Sequence, residues 1–195
     1  MSLKNSDLQY YDGNILRLSS EKRKEYHAQV DNLIAELRKH ITVNSDLKVK
    51  KVVKAGSFAK FTILKKTAED DIDVDVVFYI DGKNIDNTTL DNLNDLIYSL
   101  LTKIYPTKAV EDFEIQRRAA TVTFVKSGIS VDIVPVIQDE SNPNHGWQYD
   151  LKSKERNLTC APCHIQFIRD RKNSDKHYRT LVRMAKRWKN FACPP

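Results

Sequence analysis

Asp71-Ile72-Asp73-Val74-Asp75-Val76-Val77-Phe78-Tyr79-Ile80 sets three carboxylates in alternation and then runs into unbroken apolar residues. In an extended strand successive side chains point to opposite faces, so Asp71, Asp73 and Asp75 share one face and Ile72, Val74 and Val76 take the other. The stretch predicts a strand with an acidic beginning and a buried end. Carboxylates about 7 Å apart on one face repel each other, and core packing gives no reason to place them there; a divalent cation between them does. A calcium loop is excluded, because its sixth and twelfth positions need glycine and glutamate, and this chain has Val76 and Gly82 there.

Upstream, Val49, Val52 and Val53 among lysines predict a short strand ending at Ala55-Gly56. Gly56-Ser57 then stands where that strand gives way to one or two helical turns, whose free amides, with the Ser57 hydroxyl, can hold a phosphate. Taken alone, such a pair is more often just a turn with an N-cap. Farther back, Val30, Leu33, Ile34, Leu37 and Ile41 recur at helical spacing and predict an amphipathic helix over 20–41, its charges from Glu21 to Lys24 read as a solvated face.

Downstream, Leu90, Leu93, Leu96, Ile97, Leu100, Leu101 and Ile104 mark a second amphipathic helix, closed by Pro106. Residues 113–125 and 129–137 flank Lys126-Ser127-Gly128 and read as the arms of a hairpin. The second arm is apolar except for Asp132, and a carboxylate in a buried strand needs a hydrogen bond, an ion partner or a metal. Residues 138–159 are polar and read as a long loop. Pro162 opens a short helix through Arg171, and Asn173-Ser174-Asp175 caps a last one. There Leu181, Met184, Ala185 and Trp188 form the apolar stripe, and Arg179, Arg183 and Lys186 a basic row of the kind that usually faces solvent.

The 195 residues suit one domain, and a net charge of +6 favours anionic partners: nucleoside triphosphates, nucleic acid or an anionic membrane. No run of about 18 apolar residues is present and the first ten residues are polar, so a cytoplasmic protein with no membrane partner is expected. Three cysteines do not make a disulfide framework, and reduced thiols are expected. Cys160-Ala161-Pro162-Cys163-His164 has the spacing of a haem attachment site, which requires export and is set aside with it. A zinc set of Cys160, Cys163, His164 and His177 is set aside because its second pair lacks a compact spacing.

Together, Gly56-Ser57, Asp73-Val74-Asp75-Val76-Val77-Phe78 and Val131-Asp132-Ile133-Val134-Pro135 resemble the signature of the polymerase-beta-like nucleotidyltransferase superfamily. Within it, Leu181-Val182-Arg183-Met184-Ala185-Lys186-Arg187-Trp188 resembles a helix of oligoadenylate synthases and of the bacterial cGAS/DncV-like synthases of CBASS antiphage defence. The similarity runs, with gaps, from Lys51 to Asn190. It implies an α/β (α+β) fold, a mixed, antiparallel-rich sheet flanked by helices. It also implies an enzyme that joins nucleoside triphosphates into a cyclic or linear oligonucleotide second messenger.

By the same resemblance Asp73 and Asp75 hold two Mg2+ ions, for which Mn2+ can substitute, and Asp132 completes the site and helps deprotonate the acceptor hydroxyl. Gly56 and Ser57 contact the donor phosphates, and Lys186 neutralises the triphosphate. Three alternating aspartates stand where the motif has two. The apolar run that begins after Asp75 selects Asp73 and Asp75, with Asp71 and Asp73 as the alternative pair. The family's C-terminal helical domain has no counterpart here, so 1–195 is expected to be the catalytic domain, with its helix over 20–41 and its core over about 48–190. An RNA-directed nucleotidyltransferase of the CCA-adding or poly(A) type and a catalytically silent nucleotide-binding module are the competing readings. A nucleic-acid partner is not favoured, because no basic stretch is interleaved with aromatic residues. The oligomeric state is not legible.

Overall fold

The computed structural model describes residues 4–65, 72–82 and 87–192. A short helix, α1 (Asn5–Tyr11), runs into a π-helical turn (Asp12–Leu16), after which Ser19 caps α2 (Ser20–Asn44), its Oγ accepting the Lys22 amide at 3.2 Å. There follow β1 (Val49–Lys54), the single helical turn α3 (Gly56–Ala59), β2 (Ile72–Ile80), α4 (Asn87–Ile104), β3 (Phe113–Ile115) and β4 (Ala120–Phe124). The chain continues through β5 (Ile129–Gln138), β6 (Gly146–Asp150), β7 (Glu155–Thr159), α5 (Ala161–Ser174) and α6 (Tyr178–Ala192). Among the described residues these strands form one seven-stranded sheet in the order β1-β2-β5-β4-β3, with β6 and β7 continuing from the far end of β5. β2 and β5 are parallel and the other pairs antiparallel. A parallel pair needs a crossover, and α4 with the β3–β4 hairpin supplies it.

Alternation sorts the central strands into two unlike faces. Val74, Val76 and Phe78 of β2, with Ile129, Val131 and Ile133 of β5, pack beneath Val30, Leu33, Leu37 and Ile41 of α2 and Ile97, Leu100 and Leu101 of α4. Each such side chain contributes about 1.5–3 kcal/mol by leaving water, so this face carries most of the stability. The opposite face holds Asp73, Asp75, Val77 and Tyr79 of β2 beside Asp132, Val134 and Val136 of β5. Its downstream half is closed by Ala55 and Ala161. Its upstream half is left to the carboxylates.

The structure corrects the sequence reading in several places. Residues 138–159 are not a loop throughout: β6 and β7 form a hairpin within them. The side chains that β6 turns inward are Gly146, Gln148 and Asp150, so its period of two is invisible to hydropathy. Asp150 is fully buried and takes Arg117 Nε at 2.7 Å and Arg118 Nε at 2.8 Å. To reach it, Arg117 and Arg118 break the expected arm 113–125 into β3 and β4. On α6 the apolar stripe is not the packed face: Leu181 is 55% and Trp188 70% exposed, whereas Arg183 is 3% exposed. Arg23 is not solvated either, because it stacks on Phe58 and Phe61 and donates to the Phe58 carbonyl at 2.7 Å. Cys160 and Cys163, expected as thiols, are joined in a disulfide. Asp71 lies outside the described residues. Among the described residues, no helix is long and apolar enough to cross a membrane.

Candidate active site

The parallel register of β2 and β5 sets Asp75 directly opposite Asp132 and Asp73 opposite Ser130. Two carboxylates 57 positions apart in the sequence thus become neighbours about 4.8 Å apart along the hydrogen-bonding direction of the sheet. On the next strand Thr121 pairs with Asp132, and its Oγ1 donates to Asp132 Oδ1 at 2.6 Å. Asp73 is exposed at the rim; Asp75 and Asp132 are half-buried.

The turn after β1 closes the site from the other side. The Ala55 amide donates to the Asp75 carbonyl at 2.7 Å, which draws the start of α3 against β2. Gly56 has φ +58°, and a Cβ on it would lie 1.5 Å from Asp75 Oδ2. Only glycine fits, for both the left-handed backbone and the carboxylate lying over it. Ser57 follows on the same turn, partly exposed. Lys60, at the end of this turn, and Lys186, reaching in from α6, stand near enough to Asp75 to favour its charge.

Electrostatically the site is short of positive charge. Burial pushes the Asp75 carboxyl up, and its own backbone amide, Lys60 and Lys186 offset this only in part. Burial also pushes Asp132 up; the Thr121 hydrogen bond opposes the rise, and the neighbouring charges of Asp75 and Glu114 add to it. Lys186 is pushed down by burial and by Lys60 against the pull of Asp75. Carboxylates whose ionised form burial disfavours are what an oxygen-seeking divalent cation would stabilise.

Lys186 is presented by an ion pair that the sequence did not reveal. Arg183 Nε and Nη2 donate to Asp12 Oδ1 and Oδ2 at 2.5 and 2.6 Å, and Arg183 Nη1 donates to the Phe61 carbonyl at 2.6 Å. Thr180 Oγ1 and Arg17 Nη2 complete the shell of Asp12 at 2.8 and 2.9 Å. Burial alone would raise Asp12, but these partners hold it down at about 2. The pair turns the basic face of α6 inward, so Lys186, one turn beyond Arg183, faces Asp75. Phe61, with φ +60°, lies between the guanidinium groups of Arg23 and Arg179, 4.1 and 4.9 Å from its ring. Its carbonyl is thereby aimed at Arg183.

The structure therefore brings Gly56, Asp75, Asp132 and Lys186 together, with Asp73 at the rim and Ser57 on the adjoining turn. Sequence reasoning missed Lys60, Thr121 and Asp12. The spacing of Lys60 from Gly56, one helical turn, was a signal for the first. The other two depend on long-range pairing that leaves no local trace.

Residues 1–171 match the family described as Second Messenger Oligonucleotide or Dinucleotide Synthetase domain. The whole chain is 53% identical to the CBASS oligonucleotide cyclase CdnC of Escherichia coli strain KTE188, covering 62% of that protein. It is 32% identical over 89% of its length to the Cyclic AMP-AMP-AMP synthase of E. coli strain MS 115-1, covering 53% of it. The chain thus spans between about half and three-fifths of the length of the curated relatives it matches. Among solved structures, E. coli MS115-1 CdnC with ATP superposes with a TM-score of 0.75 at 28% identity, over 97% of this chain and 58% of that one. Vibrio cholerae DncV in its apo form superposes with a TM-score of 0.74 at 13% identity, over 93% of this chain and 66% of that one, a likeness of fold alone.

Proposed function

Because the chain belongs to the Second Messenger Oligonucleotide or Dinucleotide Synthetase family, we propose that the protein is a nucleotidyltransferase joining nucleoside triphosphates into a cyclic or linear oligonucleotide messenger of antiphage defence. The observation that carries this reading is the meeting of Asp75 and Asp132 in register, with the Gly56 turn folded over the Asp75 carboxylate. The triphosphate is assigned to that turn. Gly56 and Ser57 contact its phosphates, and Lys60 and Lys186 balance its charge from either side.

Asp73, Asp75 and Asp132 would hold two Mg2+ ions, which when bound supply positive charge at the attacking oxygen and at the leaving pyrophosphate. Asp132 uses Oδ1 to accept the Thr121 hydrogen bond, and its Oδ2 is assigned to the substrate. Its raised proton affinity suits it to take the proton of the acceptor hydroxyl. The hydroxyl oxygen bonds to the α-phosphorus of the donor, the bond from that phosphorus to the bridging oxygen breaks, and pyrophosphate departs. Repetition lengthens the product, and attack by its own free hydroxyl closes a ring. We place the reaction in the cytoplasm, where nucleoside triphosphates are at hand.

The test is to incubate the full-length protein with Mg2+ and α-labelled ATP, GTP, CTP and UTP, singly and mixed, and to resolve phosphatase-resistant products. A small labelled oligonucleotide with stoichiometric pyrophosphate is expected. Release of no pyrophosphate from any mixture, or label appearing only on added tRNA, would overturn the reading.

A further inference from the structure

The β6–β7 hairpin has a second consequence, at the sheet's far end and away from the carboxylates. Its register sets Gly146 opposite Thr159, so the residues just outside the pair, His145 and Cys160, are brought side by side. Cys160 is buried and caps α5, its sulfur accepting the Cys163 amide at 3.2 Å, and Cys163 lies one turn on at the surface. The ligand atoms of His145, Cys160 and Cys163 all lie within 4.8 Å of one another. A tetrahedral zinc site with Zn–S near 2.3 Å and Zn–N near 2.0 Å has ligand–ligand edges of about 3.5–3.8 Å, so His145 is already within about 1 Å of the required spacing and the two sulfurs, joined in the disulfide, must part on reduction.

The segments that bear these donors are fixed independently of any metal. The Tyr79 hydroxyl donates to the Asn144 carbonyl at 3.1 Å and accepts the Ala161 amide at 3.3 Å, tying the residue before His145 to the residue after Cys160. The loop is further pinned by the His145 amide on the Asn142 carbonyl at 2.9 Å and the Asp139 amide on the His145 carbonyl at 3.1 Å. Such outer bonds orient metal ligands.

From these contacts the geometry points to a zinc site made by His145, Cys160 and Cys163 in the reduced protein, with water at the fourth position on the exposed Cys163 side. The disulfide is the oxidised form of the same pair. A small thiol reductant gives it two electrons and two protons to make two thiols, and zinc binding releases those two protons as both sulfurs become thiolates. The zinc would clamp the start of α5, where Ala161 packs on Ala55 and Val77, and so steady the face that carries the Gly56 turn.

The test uses the full chain reduced with a phosphine, desalted without oxygen and titrated with Co2+, then with Zn2+. The expected result is about one Co2+ per chain with a thiolate charge-transfer band that Zn2+ abolishes, and an affinity weakened at least about 100-fold in both His145→Ala and Cys163→Ser, beyond the loss from outer-sphere changes. Circular dichroism of both variants verifies that the fold is kept, since neither side chain is part of the apolar core. Absence of the band in folded, reduced wild-type protein, or undiminished affinity in folded His145→Ala, would overturn the site.

Discussion

Asp12, at the start of the π-helical turn, meets the guanidinium groups of Arg183 and Arg17 and the hydroxyl of Thr180. Asp75 and Asp132, on neighbouring strands, meet each other and the single hydroxyl of Thr121. All three carboxylates are drawn from water, yet the first is held at about 2 and the other two are pushed above their ordinary range. Among the described residues, neither Asp75 nor Asp132 makes an ion pair. A buried carboxylate whose partners are supplied in full by the fold holds the structure together; a pair whose partners offset burial only in part costs stability and keeps its oxygens for something that arrives later. One helix serves both regions, since Arg183 completes the first and Lys186 is presented to the second.

Removing a member of the uncompensated pair should give the largest effect. Asp75→Asn and Asp132→Asn are expected to lower messenger synthesis by the full-length protein at least about 1,000-fold, the scale seen when a group acting as part of a catalytic unit is lost. Their melting temperatures should hold or rise, because repulsion is relieved. A fall in both activity and stability would erase the contrast with Asp12.

The opposite pattern is expected at the compensated site. Asp12→Ala strands the Arg183 charge in the interior and should cost about 3–5 kcal/mol in urea unfolding, with Asp12→Ala/Arg183→Leu recovering part of it. Any activity that survives in Asp12→Ala should show a raised KM for nucleoside triphosphate, since Lys186 loses its support.

The two regions also have opposite pH signatures. Asp12 is lowered from 3.8 to about 2, so its stabilisation is present above 3.8 and is lost as pH falls towards 2. Asp75 and Asp132 are raised from 3.8, so the folded state keeps protons that the unfolded chain has released, and stability declines as pH climbs from 3.8 through their raised values. Urea unfolding across this range should show Asp75→Asn more stable than wild type at neutral pH, the difference closing towards 3.8. A constant difference at all pH values would break the assignment. The smallest change is Thr121→Val, which removes one hydrogen bond of about 1 kcal/mol from Asp132 and should shift the acid limb of the activity profile upward with little loss at its plateau.

How much of this was legible varied with the range of the interaction. The alternation in β2, the Gly56-Ser57 turn and the spacing of α2 and α4 are local, and they mark an acidic strand, a turn and two helices; the mixed sheet and the place of Asp132 in the site followed from the family resemblance, and the register of Asp75 with Asp132 from the structure. The β6–β7 hairpin was missed because its inward residues are Gly146, Gln148 and Asp150, which no hydropathy pattern marks. The orientation of α6 was misread for a related reason. An apolar stripe at helical spacing normally faces the core, but here a guanidinium with a carboxylate waiting 171 positions away outweighs it. Pairing over that distance has no sequence period.

The central claim is that the Asp75–Asp132 pair is short of positive charge until a divalent cation and a triphosphate supply it. Mn2+ titration monitored by electron paramagnetic resonance, with a non-hydrolysable ATP analogue present, measures this directly. The account predicts that wild-type protein takes up nucleotide-dependent Mn2+ and that Asp75→Asn and Asp132→Asn lose it while Asp73→Asn weakens it. Equal uptake by wild type and both of the first two variants would contradict it.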